Sequence, residues 1–141
     1  MKILRVATFA VLISLRFCAS ANAYTDEDFY VAVSNTAMSV TGDIQFDDFS
    51  ITFENGKTLN FGELLGDTFV VGGEEVPASL YSVSNPSDPK LKNGNRLCGS
   101  GAVTYLGSWN GADGTSVVAV FTGADAPSSD EEMCASYTYE Q

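Results

Sequence analysis

The sequence predicts an all-β fold, a small antiparallel barrel or sandwich of about seven to nine short strands. One disulfide and at most one short N-terminal helix complete the expected architecture. Three observations carry that prediction. Apolar and polar residues alternate over short runs, as they do on half-buried strands. Gly, Asn, Asp and Pro separate those runs, which is the chemistry of tight turns. Two cysteines, Cys98 and Cys134, remain once an export signal is set aside.

That signal occupies residues 1–23. Lys2 and Arg5 form a basic start, residues 6–15 are uncharged and mostly apolar, and Ala21-Asn22-Ala23 supplies small residues before a cut. The apolar run is about half of the ~20 residues that span a bilayer, so cleavage after Ala23 is expected rather than a permanent anchor. Cys18 follows Arg16 and Phe17, which are too large for a lipidation signal, and it leaves with the peptide. Residues 24–141 are then a single exported domain, periplasmic or secreted from a bacterium.

The exported part strengthens the disulfide expectation, because an isolated cysteine pair in an oxidising compartment is usually bonded. Cys98 lies just before one predicted strand and Cys134 opens another, so the bridge is expected to staple two neighbouring strands.

Taken in order, Thr25-Asp26-Glu27-Asp28 suits a helix start with Phe29, Val33 and Ala37 on one face. Tyr30 to Val33 reads equally well as a strand, and Ser34-Asn35-Thr36 breaks either element. Ile44 and Phe46 alternate in the opposite parity to Phe49 and Ile51, which predicts a bulge or bend at Asp47-Asp48. The clearest hairpin joins residues 49–53 to 57–61. A two-residue Asn55-Gly56 turn would put apolar groups on both faces. A three-residue Glu54-Asn55-Gly56 loop pairs Ile51 with Leu59 and Phe49 with Phe61, keeps the apolar groups together, and uses Gly56 at a left-handed position. Residues 85–95 read as a surface loop. Val103, Tyr105 and Trp109 share one parity. Val117 to Phe121 is apolar on both sides and so central. Ser128 to Glu132 suits a single helical turn before Cys134, and Tyr137 and Tyr139 share a face of the last strand.

Composition bounds the function. Three of the seven basic residues and none of the 18 acidic ones lie in the signal. Four basic against 18 acidic side chains remain, a net charge of −14 on residues 24–141. Nucleic acid is excluded as a partner, because no basic footprint exists to displace counterions. Cationic proteins and cations are attracted.

Chemistry is equally bounded. The chain contains no histidine, which removes the usual general base and the usual zinc ligand. With both remaining cysteines oxidised, a thiolate nucleophile is absent too. Ser87-Asp88-Pro89-Lys90 matches S-x-x-K only formally, because prolines interrupt the helix that the motif requires. Acidic pairs such as Asp47-Asp48 and Glu74-Glu75 match no calcium loop. The expectation is no enzyme, no cofactor and no metal.

The most site-like stretch is Tyr105, Trp109, Asn110 and Asp113, with the only tryptophan beside a glycine-rich tip. Trp109 reads either as a binding anchor or as core. The general plan is similar in architecture to that of small periplasmic lysozyme inhibitors, although none of their motifs occurs here. That resemblance implies a non-enzymatic partner of a cationic, lysozyme-like enzyme. The other readings are a small-ligand or calcium-binding barrel and, last, a carboxylate-dependent enzyme.

Overall fold

The computed structural model describes residues 28–141. The expected export signal and the helix cap expected at Thr25 both lie outside the described residues. Eight antiparallel strands follow one another around a closed barrel: β1 (Phe29–Ala32), β2 (Ile44–Phe46), β3 (Ser50–Thr52), β4 (Thr58–Val71), β5 (Glu74–Ser87), β6 (Val103–Asn110), β7 (Ser116–Phe121) and β8 (Ala135–Glu140). β8 pairs back onto β1, so each of the eight strands has a neighbour on both sides and the sheet has no open edge.

The expected hairpin register is present. Ile51 faces Leu59, the Phe61 N–H donates to the Phe49 carbonyl at 2.8 Å, and Gly56 turns the chain at φ +87°. Phe49 departs from the expectation, because its side chain is 77% exposed. The reason is the segment before it. Asp47 and Asp48 make a reversal rather than a bulge, with Asp47 Oδ1 accepting from the N–H groups of Phe49 and Ser50 at 2.8 and 2.9 Å. Phe49 therefore sits on a turn and not in a strand.

The N-terminal ambiguity resolves as strand β1, and the short helix follows it at Ala37–Thr41. Ser34 starts that helix instead of breaking it, since its Oγ accepts the Ala37 N–H at 3.1 Å. At the other terminus the predicted turn forms over Asp130–Glu132, closed by a capping box between Ser129 and Glu132.

Cys98 and Cys134 are bonded, with Cα atoms 5.5 Å apart. The stapled strands are not neighbours, however. Cys98 precedes β6, Cys134 precedes β8, and β7 lies between them.

Alternation along each strand separates two cores. Ile44, Ile51, Leu59, Val83, Leu106, Val118, Val120 and Tyr139 come from seven strands and form one cluster, the barrel interior. Phe69, Leu80, Trp109, Ala119 and Phe121 have the opposite parity and form a second cluster outside it. Val103 belongs with the interior cluster, so it does not share a face with Tyr105 and Trp109 as its parity suggested. The register of β5 against β6 shifts between Ser82 and Ser87, and Val103 is paired beyond that shift.

The outer cluster exists because the β4–β5 hairpin doubles back. The Phe69 ring stands 5.7 Å from that of Phe121. In a flat sheet β4 and β7 would be three strand spacings, about 14 Å, apart. Three register shifts between Phe61 and Thr68 bend β4, and the hairpin tip lies along the outside of the barrel. Val70 bridges to Ser129 there, and the Gly72 N–H donates to the Asp130 carboxylate at 3.3 Å.

The barrel thus has two unlike ends. One is closed by the 37–41 helix and by the loop between β5 and β6, which contribute Ala37, Leu91 and Leu97 to the interior core. Tyr137 donates from its hydroxyl to the Leu97 carbonyl at 2.6 Å. Deeper in, the Thr41 and Tyr139 hydroxyls share a hydrogen bond of 2.7 Å.

Those two phenols predict an alkaline limit. Burial, reinforced by the charge of Asp88, pushes the Tyr137 pKa up from 10.0 to about 12. Burial also raises that of Tyr139. The fold therefore favours the neutral phenols. Their contribution is complete below pH 10 and is lost as pH rises through about 12. Denaturant midpoints should fall across that window, and Tyr137→Phe should flatten the fall. Equal slopes in the two proteins would show that Tyr137 does not set the limit.

Candidate functional site

The opposite end of the barrel is open and holds a cup of about 490 Å³. Its floor follows from a change of composition along the interior face. On β6 that face runs Leu106, Ser108, Asn110, and on β7 it runs Val120, Val118, Ser116. Apolar side chains fill the closed half and give way to small polar ones toward the opening. Tyr30, Phe46, Ser108 and Ser116 line the cup and also the small void of about 10 Å³ over Ile44, Val118 and Tyr139.

The wall is aromatic. The Phe46 ring meets Tyr30 edge-on, with centroids 6.3 Å apart and planes at 89°. It meets Tyr81 in the same manner at 6.2 Å and 72°. Phe61 stacks on Tyr81 at 4.4 Å and fixes that ring. Both tyrosines are held neutral. Burial raises the pKa of each, with the charge of Asp28 adding to it at Tyr30 and the Asp48 hydrogen bond adding to it at Tyr81.

The rim is acidic. Asp28 stands ahead of β1, Asp47 and Asp48 are on the β2–β3 turn, and Asp67 lies at the bend of β4; all four line the cup. Two are positioned by hydrogen bonds. Asp47 Oδ1 is held by the turn's own N–H groups, and Asp48 Oδ1 accepts the Tyr81 hydroxyl at 3.0 Å. Among the described residues, no lysine or arginine lines the cup. The four basic residues of the described chain are Lys57, Lys90, Lys92 and Arg96. All four sit on the turns and loops of the closed end, where Lys92 pairs with Glu54 at 3.5 Å. Among the described residues, no group of three or more acidic or thiol side chains converges closely enough to hold a metal ion.

The residues singled out in the sequence are divided by this arrangement. Asn110 ends β6 and lines the cup. Trp109 contributes to the lining, while its ring stacks on Phe69 at 5.7 Å in the outer cluster. Tyr105 is on the outer face, with its hydroxyl donating to the Ala124 carbonyl at 3.3 Å. Asp113 is exposed on the β6–β7 turn at φ +55° and does not line the cup. The aromatic wall has no signal in the sequence, because Tyr30, Phe46 and Tyr81 are far apart along the chain and meet only through barrel closure. The turn to serine along the interior face of β6 and β7 is a usable signal. So is the confinement of every basic residue after Arg16 to positions 57–96.

The ionisable lining of the cup consists of carboxylates and phenols, with the Tyr81 hydroxyl donating to Asp48 Oδ1. Comparison with protein-family models, with curated proteins and with solved structures finds no match to this chain.

Proposed function

We propose that this is an exported, non-enzymatic binding protein that takes a positively charged group into the open end of its barrel. One observation carries the reading: four aspartates ring the opening, whereas all four basic residues of the described chain lie at the other end. With no basic side chain in its lining to offset the carboxylates, the open end draws cations. The export signal and the net charge of −14 on residues 24–141 agree with a role outside the cytoplasm.

Two sources supply such a group. One is a basic protein, with a lysozyme-like enzyme as the concrete example of a target to inhibit or sequester. The other is a small organic cation, favoured by a cup volume within the range of small-molecule sites, roughly 300–1,000 Å³.

The test is titration of residues 24–141 with a lysozyme at low and high salt, beside the variant Asp47→Asn/Asp48→Asn/Asp67→Asn. Asparagine retains the acceptor oxygens that hold the turn and Tyr81, so charge is removed with little change of shape. Binding is expected at low salt, weakening as salt rises, and at least about tenfold weaker in the variant. Binding indifferent to both salt and variant would remove the cup from the interaction. With no binding of lysozyme, titration with a small organic cation decides the reading.

A further inference from the structure

We infer that the group seated in the cup is a compact alkylammonium ion, held against the faces of Tyr30 and Phe46 beneath the aspartate rim. This rests on the reading that the open end takes positive charge, and it names the chemistry of that charge.

The cavity is the first argument. About 490 Å³ is far more than a bare metal ion fills, and the rim acids stand apart rather than converging. Asp28 lies across from the end of β2, beside Asp47 and Asp48, and Asp67 comes from β4. Calcium takes six to eight oxygens at about 2.3–2.6 Å, which this spacing does not provide. An organic cation needs no such shell, because its charge is spread over an apolar surface.

The aromatic wall is the second argument, and it is independent of the acids. Tyr30 and Phe46 are half-buried, line the cup, and stand at 89° to one another. Rings at right angles form a corner. A cation in such a corner lies within the ~6 Å reach of the ring quadrupoles. Burial holds Tyr30 as the neutral phenol. A methylated ammonium suits this corner better than a strongly hydrated one, because it gives up less solvation on leaving water.

The polar floor is the third argument. Ser108 and Ser116 place two hydroxyls below the rings, where a ligand's own hydroxyl finds donors and acceptors. The ligand class is therefore a small ammonium ion bearing a short polar tail. The carboxylates above need not touch it. Asp47 and Asp48 already accept hydrogen bonds from the protein, and they act on the cation through space.

Choline and its uncharged carbon isostere, 3,3-dimethylbutan-1-ol, have the same shape and differ in charge. Isothermal titration and chemical-shift mapping of residues 24–141 should show choline binding at least about tenfold more tightly than the alcohol. The shifts should centre on Tyr30, Phe46, Ser108 and Ser116. Phe46→Leu and Tyr30→Leu should each weaken choline about fivefold while leaving the alcohol unaffected. Equal affinity for choline and alcohol overturns the inference, and so does calcium binding at the same residues in preference to choline. These comparisons need only the unaltered protein, so a variant that fails to fold does not spare the inference. If lysozyme binds through the aspartates and choline neither binds nor competes, this inference fails while the wider proposal stands. If neither binds, both fail.

Discussion

Replacing Phe69 with alanine should lower the unfolding free energy by about 3–5 kcal/mol and the thermal midpoint by roughly 10–20 °C. Phe69 is buried, stacks on Trp109 and meets Phe121 edge-on. It is the side chain through which the doubled-back hairpin grips the barrel. The hairpin tip is also tied by a backbone bridge at Val70, by the Asp130 carboxylate on Gly72, and by Val71 and Val76, which are only partly buried against the same cluster. Without the ring, the outer faces of Trp109, Ala119 and Phe121 meet water. Trp109 is the only tryptophan, so its fluorescence reports the loss directly. A red shift should appear in the folded variant before any denaturant is added, with the far-ultraviolet spectrum of the barrel retained. A loss below about 1 kcal/mol, with unshifted emission, would show that the hairpin is held by something other than this ring. The serine floor and the Tyr30–Phe46 wall of the cup lie away from this cluster, but Trp109, Asp67 and Ala78 also line the cup, so ligand affinity should fall modestly while stability falls strongly.

The outer layer is partly legible in the amino-acid sequence. Val117 to Phe121 is apolar at every position, and a strand of that kind must be covered on both faces. Barrel interior covers one face of β7 and the hairpin covers the other. The covering element itself cannot be read. β4 and β5 are 14 residues each, but Gly62, Gly66 and Pro77 interrupt their alternation. Bends placed by register shifts leave no periodic trace. The turn at Gly56 is legible because only one register keeps Ile51 and Leu59 on one face. Phe49 misleads for a local reason: alternation cannot distinguish the last residue of a turn from the first residue of a strand.

The site is less legible than the fold. Local composition points to Tyr105, Trp109, Asn110 and Asp113, a stretch with the look of a binding loop. Of these, Asn110 and Trp109 reach the cup. Its remaining walls come from β1, β2, β4 and β5, which approach β6 and β7 only on closure of the barrel. Charge is visible as a total and not as a direction. Its polarity depends on which end each turn occupies, and an up-and-down barrel assigns alternate turns to alternate ends.

That alternation also separates the disulfide from the cup, which gives the second large expectation. The variant Cys98→Ser/Cys134→Ser should be less stable by roughly 3–4 kcal/mol, the loop-closure contribution of a bridge spanning a separation of 36 residues. The loop between β5 and β6 has little regular structure of its own, and the bridge is its one covalent tie across the closed end. Asn93 and Asn95 donate to the Ser39 carbonyl, Asn55 donates to the Lys90 carbonyl, Lys92 pairs with Glu54, and Leu91 and Leu97 are buried. Asp88 accepts from the N–H groups of Cys98 and Gly99 at 3.2 and 2.6 Å, and Leu97 accepts from Tyr137. With the bridge cut, the loop should open locally and carry Leu91 and Leu97 away from the interior core before the strands separate. Hydrogen exchange should then quicken at residues 88–102 well below the global transition, while Tyr30, Phe46 and Ser108 keep their protection. Reducing the unaltered protein should reproduce the variant's unfolding midpoint. An unchanged midpoint on reduction would mean that the non-covalent ties of the loop hold the closed end by themselves. Loss of choline binding in the folded, bridge-free protein would mean that the two ends of the barrel are coupled through its core rather than independent.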